Sequence, residues 1–458
     1  MSIQLFEDAK KLDSEGKYLE AAIKYDQLLT QNHENPSLLC LMGSLLARDE
    51  NTIGLSIVCL SLALKNWTSK YKNPPPAELY SNLGIAYRHS GQTDKALECY
   101  EKAVKLGPTA GTYTNYGNMF VENGDPLKAI PLLEKAVVMD PSMHLAHWNL
   151  ALALLETGQW DRAWDEHEHG KFEGGARVLK KNVDLPDWDG TPGLKLIAYG
   201  EQGIGDEIMF ASMLPDLLKT NEVILDCHPR LTTLFEKSFG VKCYGTRKDK
   251  EADWIEVEKP DAMVALGSLG KFYRRSKEAF PGTPYLKVDS APRGEKFRVG
   301  ISWTGGRSTQ RVARRTVPLA WWGSVFSNDC EFVSLQYTEG CEKEIEICNK
   351  SLGTSITQHP AAKAEDYYEL AKVVKSCDLI ITVCTSLVHL AGALGVPTWV
   401  MVPRRPAWRY QNKGPMPWYK SVRLYRQPEH DESAWFPVVG RVGLDLADLL
   451  QMNQQKVA

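Results

Sequence analysis

The 458-residue sequence predicts an α-helical repeat array followed by an α/β region built on parallel sheets. Three observations carry that prediction. In the first third, one pattern of small, aromatic and proline residues recurs at a step of 33 positions, the mark of stacked helical pairs. From Leu185 onward, short apolar runs alternate with longer amphipathic stretches, as parallel strands covered by helices do. The length is too great for one ordinary core, and 43% hydrophobic with 24% charged residues is a globular composition.

The repeat is explicit residue by residue. Tyr80, Leu83, Gly84, Tyr87, Ala96, Tyr100, Ala103 and Pro108 return 33 positions later as Tyr113, Tyr116, Gly117, Phe120, Ala129, Leu133, Ala136 and Pro141. A further step of 34 reaches His147, Leu150, Ala151, Leu154 and Ala163. Small residues let two helices approach, aromatics fill the groove between them, and proline stops the second helix. Gly91 and Gly124 fall where the turns inside each repeat are required. This pattern resembles the tetratricopeptide repeat (TPR). Upstream, Ala9, Leu12, Ala21, Tyr25 and Leu28, closed by Pro36, read as one more repeat. Gly43, Leu46, Leu55 and Leu62 read as a degenerate one before the Pro74-Pro75-Pro76 break. Four to five helical pairs are expected over residues 1–172. Such an array binds proteins or peptides, or serves self-association into a homo-oligomer, and does no chemistry itself.

Phe172 to Asn182 is polar and glycine-containing and reads as a linker. Beyond it, Leu194–Tyr199, Glu222–Cys227, Met263–Leu266, Phe297–Trp303, Glu331–Gln336, Asp378–Val383 and Thr398–Val402 read as short buried strands. Ser290 to Gly294 reads as a connection between two lobes. Ligands of such sheets collect at the carboxyl ends of the strands, where helix N-termini offer free N–H groups.

Three loops fall at such ends. The first, Gly200 to Ile208, carries Gly203 and Gly205 beside Asp206, which reads either as a functional carboxylate or as a helix N-cap. The second follows Trp303 and places Arg307, Arg311, Arg314 and Arg315 within nine positions. Clustered guanidinium groups suit a diphosphate, though a solvated charged loop has the same composition. The third, Cys384 to Ala393, opens a helix at Thr385 or Ser386 and sets His389 one turn in, as a phosphate contact or a buried structural histidine.

In this order the loops resemble the heptosyltransferase family of lipopolysaccharide synthesis, and more closely the bacterial proteins in which a TPR array is fused to a domain of that type. The matching text is Glu201-Gln202-Gly203-Ile204-Gly205-Asp206, Val299-Gly300-Ile301-Ser302-Trp303, Arg314-Arg315-Thr316-Val317-Pro318-Leu319 and Ser334-Leu335-Gln336. It continues with Thr385 to Leu394, Trp408-Arg409-Tyr410 and Arg423 to Gln427, so the resemblance covers about residues 145–445.

The resemblance implies a GT-B glycosyltransferase: two facing Rossmann-like lobes, here 183–290 on the acceptor side and 295–450 on the donor side. It implies inverting chemistry with no metal and no cofactor, the nucleotide-sugar being a substrate. Carried over, Asp206 is the general base and Arg315 contacts donor phosphate. Thr385 and His389 line the donor site. Read from the loops themselves, Gly203, Gly205, Arg307, Arg311, Cys384 and Ser386 are expected at the same site. One position departs: the family has Asp where this chain has Cys384, so donor choice or activity differs there. Some fused relatives modify flagellin, the repeats docking the protein acceptor. A protein or glycan acceptor is therefore expected, and the alternative is a TPR scaffold whose sugar-nucleotide domain binds without catalysis.

Other classes are disfavoured. A formal net charge of −3 implies neither a nucleic-acid partner nor an anionic membrane. The N-terminal residues show no signal-peptide pattern, and no apolar run nears the ~20 residues of a membrane span, so a cytoplasmic protein is expected. Ten cysteines without any Cys-x-x-Cys pair read as free thiols.

Overall fold

The structure, a computed structural model, describes residues 2–30, 32–172, 177, 183–247, 252–305, 312, 314–327, 329–428 and 434–457. The chain forms two compact units, Met1–Ala153 and Leu154–Ala458.

In the first unit, helices pair in sequence: α1 (Ser2–Ser14) with α2 (Tyr18–Leu29), α3 (Pro36–Leu46) with α4 (Ile53–Lys70), α5 (Ala77–His89) with α6 (Thr93–Leu106), and α7 (Ala110–Glu122) with α8 (Pro126–Met139). The pattern continues along the chain with α9 (His144–Glu156) and α10 (Trp160–His167). Close approach explains the small residues. A Cβ on Gly84 would lie 2.6 Å from the Tyr100 ring, and one on Gly117 would lie 2.6 Å from Leu133 Cγ. The degenerate repeat keeps the device, since Gly43 meets Leu60 in the same way at 2.6 Å. Gly91 and Gly124 hold φ of +77° and +76°, which only glycine adopts without cost. Pro36, expected to close the first repeat, instead opens α3. Its predecessor Asn35 caps that helix, accepting from Ser37 N and Leu38 N at 3.0 and 3.2 Å.

Among the described residues, the second unit holds two sheets, every strand pairing parallel. The first has the order β3-β2-β1-β4, with β1 Lys195–Tyr199, β2 Glu222–Asp226, β3 Cys243–Tyr244 and β4 Ala262–Ala265. The second has the order β10-β9-β8-β5-β6-β7, with β5 Phe297–Ser302, β6 Cys330–Ser334, β7 Thr357–Gln358, β8 Leu379–Val383, β9 Thr398–Val402 and β10 Val422–Arg426. Strands β8 and β9 are buried along their whole length, as strands covered on both faces must be. Trp303, Trp322, Ile381 and Met401 pack there with Trp435, Val439 and Leu446 of the helix Trp435–Val457. The connection between the sheets is longer than the five residues expected: Pro281 to Lys296 carries no regular structure. It is fastened by Tyr285 N and Leu286 N donating to Ala393 O at 2.9 and 3.1 Å.

Helix α10 belongs with the sheets. Trp164 is buried, donates from Nε1 to Arg274 O at 2.8 Å, and lies so close to Gly270 that a Cβ there would meet its ring at 2.5 Å. The linker expectation needs correcting at Arg177. Its guanidinium is buried, reaching Glu201 Oε2 through Nε and Nη2 at 3.0 and 2.8 Å and Glu168 Oε1 through Nη1 at 2.8 Å. A charge so deep stays only where carboxylates meet it, so this arginine is a core residue in polar surroundings.

Glu156, at the end of α9, is also buried. Burial pushes its carboxyl up from 4.5 to about 7, against the pull of Arg426. A carboxyl raised in the folded state costs stability as pH climbs from its unfolded value to its folded one. Glu156→Gln is therefore expected to stabilise the protein by about 3 kcal/mol at pH 8, with the gain shrinking toward pH 5. Denaturant melts of both proteins across that range test it; a gain independent of pH would assign the effect to packing.

Candidate functional site

All three sequence-predicted loops leave the carboxyl ends of strands at the places where strand order reverses. In the first sheet the reversal lies between β1 and β4, and the Gly200–Gly203 loop follows β1. In the second it lies between β5 and β8, and the other two loops follow those strands. Such switch points leave a crevice. Here residues from both sheets line one cavity of about 590 Å³.

The first loop leads into α11 (Ile204–Phe210). Gly203 is the N-cap and Asp206 the third helical residue, so Asp206 is not the cap. Its carboxylate still lies in the first turn, where the helix dipole favours negative charge. Two buried ion pairs fix the loop. Glu201 is held by Arg177 and accepts from Gly267 N at 3.1 Å. Glu207 meets Arg247 Nη1 at 2.7 Å and accepts from His228 N at 2.8 Å, and Arg247 also donates to Gln202 O at 2.6 Å. Burial raises the Glu207 carboxyl to about 7 even beside Arg247. Gly200 leaves room for that carboxylate, which would sit 2.3 Å from an added Cβ.

The second loop turns on Gln336, which is buried. Its Oε1 accepts from Ser302 Oγ, Trp303 N and Thr304 N at 2.9, 3.0 and 3.2 Å, and its Nε2 donates to Thr304 O at 3.0 Å. Arg307 and Arg311 lie outside the described residues. Arg315 is described: half-buried, lining the cavity, and without a hydrogen bond or ion pair among the described residues.

In the third loop, Thr385 is the N-cap of the helix Ser386–Leu394, its hydroxyl accepting from Leu387 N at 3.2 Å. Gly305 lets the second loop reach it, since a Cβ there would lie 2.5 Å from Thr385 Cγ2. Gly205 does the same for the first loop, its Cβ position lying 3.1 Å from His389 Cδ2 and 3.3 Å from Ser386 Cα. His389 is buried, with Nδ1 3.3 Å from Tyr419 Oη. Burial, with Arg409 adding to it, holds its pKa well below the ordinary value, so the imidazole is neutral. A neutral His389 can meet a phosphate only through a hydrogen bond. Cys384 is buried against the same cavity, and burial raises its thiol to about 11, eased by Arg315. It stands there as a neutral, weakly polar group.

The cavity thus gathers Gly203, Gly205, Asp206, Arg315, Cys384, Thr385, Ser386 and His389. Among the described residues, four arginines line it (Arg230, Arg247, Arg315, Arg409) against two carboxylates, Glu201 and Asp206. That balance suits an anionic ligand. Residue order alone gives Arg409 no role, although Trp408-Arg409-Tyr410 belongs to the resemblance; it forms an ion pair with Asp206. Arg230 was also missed: it donates to Ala364 O and Glu365 O at 2.6 and 3.1 Å, tying the two sheets together. All ten cysteines are free. Among the described residues, no helix is long and apolar enough to cross a membrane.

Residues 77–109 and 117–167 each match the tetratricopeptide repeat family, so the N-terminal region carries TPRs and with them a protein-interaction scaffold. The chain is 29% identical over 326 residues to protein FlbA of Caulobacter vibrioides, a match covering 65% of this chain and 54% of that protein. It thus spans about half the length of the curated relative it matches. Among solved structures, MamA aligns at 23% identity over 35% of this chain and 91% of its own, with a TM-score of 0.30. The TPR protein TTC0263 of Thermus thermophilus aligns at 22% over 36% and 88%, with a TM-score of 0.29.

Proposed function

We propose that the second unit is a GT-B glycosyltransferase, moving a sugar from a nucleotide-sugar donor to an acceptor recruited by the TPRs, a protein or a surface glycan. The observation that supports this most is the meeting of Asp206 with Arg315, unpaired among the described residues, and the Thr385-capped helix in one cavity. In the reaction, Asp206 takes the proton of the acceptor hydroxyl as its oxygen bonds the anomeric carbon. The bond from that carbon to the leaving phosphate oxygen breaks, and its electron pair departs with the phosphate. Arg315 and the N–H groups opening the Ser386–Leu394 helix meet the charge that develops there.

Thermal shift against UDP-, GDP-, ADP- and CMP-linked sugars identifies the donor, because a ligand at about 100 times its Kd stabilises by about 2.7 kcal/mol. Arg315→Ala is expected to weaken that nucleotide sugar by about 1.5–3 kcal/mol in calorimetry, the value of a charged hydrogen bond. Native affinity in this variant would move the donor site elsewhere.

Cys384 favours a second reading, a domain that binds a sugar nucleotide without transferring it. A neutral thiol cannot offer a sugar hydroxyl the charged acceptor that the family's Asp supplies. Donor stabilisation without product in the presence of candidate acceptors would select that reading.

A further inference from the structure

Asp206 and Phe210 are four residues apart on α11 and so lie on one face of it. Two adjacent residues from the second sheet's side grip that face. Trp408 stacks on Phe210 at 6.4 Å between ring centroids and is buried among Trp164 and Trp418. Arg409 pairs through Nη2 with Asp206 Oδ1. The Asp206 Oδ2 atom is left without a hydrogen-bond partner among the described residues, 3.3 Å from where a Cβ on Gly203 would stand.

The turn that makes this grip is itself braced. Arg426 donates to Tyr410 O, Gln411 O and Gly414 O at 2.8, 2.8 and 2.9 Å. Gln411 is held at φ +53°, a backbone state that a free turn avoids in a non-glycine residue. Trp408 and Arg409 therefore approach α11 from a rigid base, and the carboxylate is aimed from the sheet opposite its own.

We infer that Arg409 is a positioning residue for transfer: it fixes the Asp206 carboxylate, and with Trp408 it couples the seating of α11 to the second sheet. This rests on the reading of Asp206 as the base. Donor binding is assigned to other groups (Arg315 and the Thr385-capped helix), so the two roles separate in kinetics.

The test uses the full-length protein and its Arg409→Ala, Arg409→Lys and Asp206→Asn variants, with the nucleotide sugar that stabilises the parent most in thermal shift. Arg409→Ala is expected to lower kcat on the order of 10²-fold, the cost of a misplaced reacting group, with donor KM changed less than about twofold. Arg409→Lys, which keeps the charge without the planar fork, is expected to recover part of that loss. Hydrogen exchange at residues 204–210 is expected to quicken in Arg409→Ala while β1 and β2 stay protected. A KM effect without a kcat effect would make Arg409 a donor ligand and overturn the inference. If the parent transfers no sugar, the glycosyltransferase reading fails by itself. Exchange then decides the grip alone, and native protection at 204–210 in Arg409→Ala overturns it.

Discussion

Asp206→Asn is expected to slow sugar transfer by about 10²- to 10⁴-fold while donor binding stays near that of the parent. The substitution is nearly isosteric and keeps an oxygen that can accept from Arg409, so the cavity should retain its shape. What disappears is the ability to take a proton. Asp206 lies in the first turn of α11 without capping it, so the lost charge–dipole interaction is a few tenths to about 1 kcal/mol, on top of the weakened ion pair with Arg409. Calorimetry with the donor and a transfer assay, run on the same preparation, check both halves. Turnover equal to the parent's would leave Asp206 as no more than the partner of Arg409.

Removing residues 1–140 is expected to abolish transfer to the physiological acceptor while donor binding and slow donor hydrolysis persist. The matches to the TPR family fall at 77–109 and 117–167, and the cavity is lined from Glu201 to Tyr410. A repeat array without a cavity carboxylate or arginine contributes to transfer most simply by raising the local acceptor concentration. The cut keeps α9 and α10, because Trp164 on α10 is a core residue of the sheet-bearing unit. Equal glycosylation of the acceptor by the shortened chain would remove the recruitment role. Light scattering of the two proteins would then ask whether the repeats serve self-association.

The parts legible in the sequence are those with a local signature. Buried parallel strands are continuous apolar runs, so β1, β2, β8 and β9 could be read directly, whereas β3 and β7 have two residues each and leave no run. Strand β10 carries the motif Arg423 to Gln427 yet shows no strand signal, because Arg423 and Arg426 break its apolar pattern. At the site, glycines and the Thr385 cap act on their neighbours and show in the text. Arg409 acts on a residue 203 positions away and Arg177 on one 24 away. Ion pairs at such distances follow from the fold alone. The neutral state of His389 is likewise a product of burial, which residue identity does not reveal.

The seating of Arg177 has a bearing on modularity. The stretch before β1 reads as a tether, but its arginine is locked to Glu201, which opens the very loop that leads to Asp206. Cutting a buried pair leaves an uncompensated charge, at roughly 3–5 kcal/mol. A transplantable unit, one that could be fused to another recognition array, therefore cannot begin at the first strand. It begins before Trp160, and α10 travels with the cleft as part of the same inheritable piece.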